Sequence, residues 1–195
     1  MADRRVNMLY PLVIACLVAV IVITVYFCCF NSLTTVLVVR HAEKAETPAD
    51  NPPLTSQGQA RAEALVDVAG DAGVGAVYAT EFCRTAQTAQ PLAAQLGLPI
   101  NVQENTLPDD QLANCNPPID ATVNRLAAEI GTPAELVDHV LGNHRGKIIL
   151  IAGHSNTVPQ IVEELGAPRR YAPTTSRLRA ALASFLMVNS TTCSL

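Results

Sequence analysis

The chain opens with one long apolar block and then alternates short apolar runs with amphipathic stretches. From Met8 to Phe30 there are 23 residues without a charge, enough to cross a hydrocarbon layer of about 30 Å as one helix. The block outruns the roughly 15 residues of a secretory signal core and ends in bulky Tyr26, Phe27 and Phe30, so an uncleaved anchor is expected. Arg4 and Arg5 precede it, and the next basic residue is Arg40. The positive-inside rule then places residues 1–7 in the cytoplasm, a single-pass span at 8–30, and the rest of the chain outside the cytoplasm.

Past a short linker at 31–34, the β-branched run Thr35 to Val39 predicts a strand covered on both faces. Ser56, with Gln59 three residues on, reads as a capping box opening a helix that sets Ala62, Leu65, Val66 and Ala69 on one face and stops at Gly70 and Gly73. Ala76 to Ala79 predicts a second strand, Arg84 to Leu96 a helix kinked at Pro91, and Ile100 to Gln103 a third strand. Residues 104–118 are polar and carry Pro108, Pro117 and Pro118, which predicts a loop able to lie over a site. Ile119 to Ile130 is helical by pattern, Thr132 to Glu135 is a capping box opening a helix towards His144, and Lys147 to Ala152 predicts a buried strand.

This alternation predicts an α/β fold with a mostly parallel sheet, preceded by one transmembrane helix. The domain is expected at 35–166. In the atypical tail at 167–195, Ser184 to Asn189 is the candidate strand for completing the sheet.

Composition narrows the chemistry. The 195 residues include 49% hydrophobic and 15% charged ones, and the net charge of −4 comes without a basic run. Broad nucleic-acid binding, which needs clustered Lys and Arg, is excluded. Arg169, Arg170, Arg177 and Arg179 read as a solvated basic tail rather than a lipid or substrate contact. The six cysteines show no metal-ligand spacing. Cys83 and Cys115 are disulfide candidates in an extracytoplasmic domain and free thiols otherwise, and the sequence does not assign a bridge.

Two predicted strands run directly into a histidine: VLVVRHAEK ends on Arg40 and His41, and IILIAGHSNT on Gly153 and His154. A third strand end, in YATEFCRTAQTA, delivers Arg84 at the start of a helix. Ligand crevices of open α/β sheets lie beyond the carboxyl ends of strands, so the four side chains should meet at one edge. Two guanidinium groups, helix N-terminal amides and two imidazoles suit a tetrahedral dianion, and an unprotonated imidazole is a competent nucleophile towards phosphorus. Such chemistry calls for no metal or other cofactor, because cations alone can neutralise the equatorial oxygens.

The blocks VVRHAEKAETPADNPPLTSQGQARAEAL, AVYATEFCRTAQTAQPLA and IAGHSNTVPQIVEELG resemble the histidine phosphatase superfamily, also called phosphoglycerate mutase-like, over residues 35 to 166. The resemblance implies a phosphate-binding Arg40, a nucleophilic His41, and phosphate contacts from Arg84 and His154, with Ala42 where relatives usually carry Gly. It also implies a three-layer α/β/α sandwich, and a proton donor in the loop after the third strand, where Glu104, Asp109 and Asp110 stand, with Glu104 and Asp109 the leading candidates. The activity expected is hydrolysis of phosphomonoesters, on a phosphorylated small molecule or a phosphoprotein. The alternatives are a phosphohistidine protein phosphatase, which can work without the acid, and a weakly active membrane-tethered module that binds phosphorylated ligands.

Overall fold

The computed structural model describes residues 3–30, 33–103, 112–127, 129–166 and 185–190. The chain divides into two compact units, Met1–Ser32 and Leu33–Leu195.

The first unit is the helix α1 (Asp3–Phe30), which contains Pro11. The expected membrane span at 8–30 is corrected here: among the described residues no helix is long and apolar enough to cross a membrane. The single-pass placement, the membrane as partner and the extracytoplasmic position of the domain all rested on that span and fall with it.

The second unit is a mixed α/β domain. Its elements are β1 (Thr34–Arg40), α2 (Ser56–Ala69), β2 (Val74–Thr80), α3 (Cys83–Leu96), β3 (Ile100–Gln103), β4 (Val123–Arg125), α4 (Pro133–Asn143), β5 (Ile148–Gly153), α5 (Thr157–Glu164) and β6 (Phe185–Ser190). The six-stranded sheet has the order β4-β3-β2-β5-β1-β6; the first five strands are parallel, and β6 runs antiparallel on β1 at the edge.

Both faces of the sheet are covered. Leu37, Val39, Val77, Ala79, Leu150 and Ala152 point to one side, where they pack with Leu65 and Ala69 of α2 and Ala86, Ala89, Leu92 and Ala93 of α3. Val36, Val38, Ala76, Tyr78, Ile149 and Ile151 point to the other, against Leu136, Val137 and Val140 of α4 and Ile161 and Val162 of α5. Strands buried on both faces need apolar residues at successive positions, which explains the unbroken VLVV and IILIA runs. The layers of this unit are thus α/β/α.

Two local expectations change. The cap of α2 is Thr55 rather than Ser56: its hydroxyl accepts from the Gly58 amide, while its own amide donates to the Glu43 carbonyl. Ile119 to Ile130, helical by pattern, instead supplies β4, because pairing with β3 in the register Ile100↔Val123 outweighs a short amphipathic signal. The capping box at Thr132 and Glu135 is present as expected, with Pro133 opening α4.

Cys83 and Cys115 form a disulfide across a sequence separation of 32, joining the first residue of α3 to the connection between β3 and β4. By closing that loop in the unfolded chain, the bridge is expected to stabilise the domain by about 3–4 kcal/mol. Replacing both cysteines with serine should lower the urea midpoint and raise the m-value, because the unfolded chain without the cross-link exposes more surface.

Gly58 marks a second tight place: a Cβ there would lie 2.3 Å from the Glu43 carbonyl oxygen, a backbone atom that cannot swing aside. Gly58→Ala should therefore destabilise the domain by about 1–3 kcal/mol despite alanine's better helix propensity, measurable by urea titration.

Candidate active site

The parallel pairing of β1 with β5 sets Arg40 opposite Gly153. The next residue, His41, leaves the strand with its amide still donating to the Gly153 carbonyl at 2.9 Å. Its ring stands 5.5 Å, centroid to centroid, from that of His154. Beyond β2, the short passage Glu81-Phe82 turns the chain into α3 and places Arg84 in the first turn. The Arg84 guanidinium lies 4.2 Å from the centroid of the Phe82 ring, whose plane in turn meets His154 edge-on at 5.1 Å. The structure therefore brings Arg40, His41, Arg84 and His154 to one sheet edge. Glu104, Asp109 and Asp110, the candidates for the proton donor, lie outside the described residues.

Backbone contacts orient the histidines. His41 Nδ1 sits 2.8 Å from the Ala42 carbonyl oxygen. A carbonyl oxygen only accepts, so Nδ1 carries the proton and Nε2 keeps its lone pair. Burial lowers the pKa of His41 below 6.5, and the charges of Arg40, Arg84 and Lys44 push the same way against the opposing hydrogen bond to Ala42. His154 is driven further, to about 4, first by burial and then by Arg84, His41 and Arg40. Its amide donates to the Thr157 hydroxyl at 2.9 Å, at the start of α5.

Threonines and amides missed by the sequence reading knit the site together. The Thr88 hydroxyl donates to the Arg84 carbonyl at 2.6 Å and accepts from the Ala42 amide at 3.0 Å, so one side chain ties the histidine turn to α3. The Gln87 carboxamide accepts from the Leu54 amide at 2.8 Å and donates to the Pro117 carbonyl at 2.6 Å. Phe82, at the N-cap of α3, offers no capping side chain, and Asn51 supplies an acceptor from another loop by taking the Cys83 amide at 2.9 Å. Thr85 and Thr88 stand one helical turn apart in the Arg84 block, a spacing that would have marked them as a face turned to the site.

Arg84 Nε is buried and has no hydrogen-bond partner among the described residues. A buried guanidinium N–H without an acceptor is costly unless a ligand completes it. It stands near two histidines whose pKa values are lowered. Among the described residues no cluster of three or more His, Cys, Asp or Glu is placed to hold a metal ion.

The α/β sheet edge carries two histidines and two arginines. Residues 36–106 match the model of the histidine phosphatase superfamily (branch 1), so this part of the chain is similar to that superfamily. Among solved structures, the chain is similar to the ecdysone phosphate phosphatase from Bombix mori in complex with tungstate, with TM-score 0.50 and 17% identity over 73% of this chain and 81% of that one. It is also similar to the putative phosphohistidine phosphatase SixA from Nakamurella multipartitia, with TM-score 0.48 and 21% identity over 82% and 86%. A phosphoserine phosphatase from Entamoeba histolytica, in complex with 3-phosphoglyceric acid, matches with TM-score 0.47 and 16% identity over 68% and 79%. These likenesses concern the fold.

The lowered histidine pKa values give a signed expectation for stability. A His with a folded pKa below 6.5 takes up its proton more readily when unfolded. Its neutral burial is therefore fully tolerated above about pH 6.5 and penalised as pH falls towards 4. Urea midpoints should drop over that window, and His154→Gln should make the drop shallower.

Proposed function

We propose that this chain is a metal-independent phosphatase that hydrolyses phosphomonoesters through a phosphohistidine on His41. The observation that carries this reading is the deprotonated Nε2 of His41, held by the Nδ1 bond to Ala42 beside the unpartnered Nε of Arg84. Nucleophile and anion donor thus belong to one preorganised edge.

In this mechanism the phosphoryl group is received by Arg40, Arg84 and His154. His41 Nε2 attacks phosphorus in line as the bond to the leaving oxygen breaks. A proton reaches that oxygen from a loop carboxylate, Glu104 or Asp109. Water then attacks the phosphohistidine and gives a proton back to that loop carboxylate, the P–N bond breaks, and His41 returns to its neutral form as inorganic phosphate leaves. The hydrogen bond to Ala42 also stabilises the positive charge that develops on the ring during attack.

The substrate is a phosphorylated small molecule or a phosphoprotein. Turnover of p-nitrophenyl phosphate by the chelator-treated full chain is the direct test. His41→Asn should abolish turnover and the acid-labile phosphoenzyme. Arg84→Ala should reduce kcat/KM by about 10²-fold or more, the effect of losing a charged transition-state donor. Wild-type turnover by His41→Asn would sink the reading. A panel adding phosphoserine peptide, sugar phosphates and phosphohistidine would assign the substrate class.

A further inference from the structure

The threonines around His154 form a short hydrogen-bonded chain whose proton directions can be worked out. Thr80 Oγ1 lies 2.9 Å from His154 Nε2 and 2.8 Å from Thr85 Oγ1. Thr85 Oγ1 also lies 2.8 Å from the Phe82 carbonyl oxygen and 3.1 Å from that of Thr80. Both threonines are buried, with Thr85 wholly enclosed.

Each hydroxyl has one proton to give. The two carbonyls around Thr85 can only accept, so the Thr85 proton is directed at them; aimed elsewhere, it would leave two oxygens facing each other across 2.8 Å without a hydrogen. The contact between the hydroxyls must then be filled by the Thr80 proton, donated to Thr85. Thr80 Oγ1 has only lone pairs left to offer His154, so Nε2 of the neutral ring is the protonated nitrogen and Nδ1 carries the lone pair. Any other assignment puts an unfilled oxygen contact in a buried place, where it is costly.

We propose that Thr80 and Thr85 are positioning residues that fix His154 in its Nε2–H form, so that the second site histidine meets the phosphoryl group as a proton acceptor through Nδ1. The inference deepens the phosphatase reading and rests on it for its functional consequence. The balanced step is a transfer from the acid P–OH of a monoanionic phosphate to Nδ1, leaving a dianionic phosphoryl group paired with an imidazolium. The proton returns when phosphate departs as the monoanion. The charged and titratable groups around His154 are Arg40 and His41 from the end of β1 and Arg84 from α3, and positive charge on any of them disfavours a resident imidazolium before the anion arrives. Neutrality of the free ring agrees with its lowered pKa.

The measurement is a two-bond ¹H–¹⁵N correlation spectrum of the ligand-free, ¹⁵N-labelled full chain at neutral pH, with His154 assigned by comparison with His154→Gln. The expected wild-type pattern is protonated Nε2. In Thr85→Val, Thr80 loses the acceptor for its proton and turns it towards Nε2, so His154 should change to the Nδ1–H form. Thr80→Ser keeps a hydroxyl in place and should keep the wild-type pattern. With p-nitrophenyl phosphate, kcat/KM should fall about tenfold or more in Thr85→Val and stay within about twofold in Thr80→Ser. A wild-type His154 protonated on Nδ1 overturns the proposal, whatever the variants do, as does a folded Thr85→Val that retains protonated Nε2. Because the spectrum requires no turnover, failure of the phosphatase reading would appear separately, as the stated tautomer in a chain without hydrolysis.

Discussion

The parallel register of β1 against β5 is the constraint on which the rest of the site depends. With Arg40 opposite Gly153, each strand finishes at the same height and each hands its next residue, a histidine, to the same edge. The amide of His41 continues that pairing to Gly153, so its backbone is still held by the sheet although its side chain has left it. Because side chains alternate across a strand, a slip of one residue would reverse every buried position of β1, taking Leu37 and Val39 from the α2–α3 layer to the α4–α5 layer. The core therefore enforces the register, and the register places the histidines. Gly153 contributes by being small: a Cβ there would come within 3.0 Å of the Thr157 hydroxyl that receives the His154 amide.

The first turn of α3 is the second fixed body, secured from several directions. Its first residue is bonded to Cys115, its first amide is taken by Asn51, and Gln87 and Thr88 reach out to residues 54, 117 and 42. These links come from parts of the chain far apart in sequence, so Arg84 is positioned by several loops at once. The result is a guanidinium that can be left with an unpaired Nε without collapsing onto a neighbouring acceptor. A cation on a loosely held helix would relax to satisfy itself and lose its readiness for an anion.

Much of the architecture was legible in the residues. Unbroken β-branched runs such as VLVV and IILIA can only be strands buried on both faces, and the helices between them require a sheet covered on two sides. The capping box at Thr132 is a local hydrogen-bond pattern and needs no tertiary context. Elements whose identity depends on a neighbour were misread. Residues 123–125 become β4 only because β3 offers an edge, and Thr55 outcompetes Ser56 as a cap because its amide is anchored to Glu43. The apolar block near the N-terminus forms α1 without meeting the length and hydrophobicity of a membrane span among its described residues.

The sequence by itself determined the buried strands and the strand ends that carry Arg40, His41 and His154, because periodicity and local composition dictate which residues are buried and where strands stop. Tertiary structure alone decided the protonation pattern of the site. The ring nitrogen of His41 that bears the proton follows from the Ala42 carbonyl, and that of His154 from two threonines more than 60 residues earlier in the chain. It also decided that Cys83 and Cys115 are bridged, since a disulfide requires the two Cα atoms to stand about 5.5 Å apart. Such facts depend on distances between remote segments, which no local pattern of residues encodes.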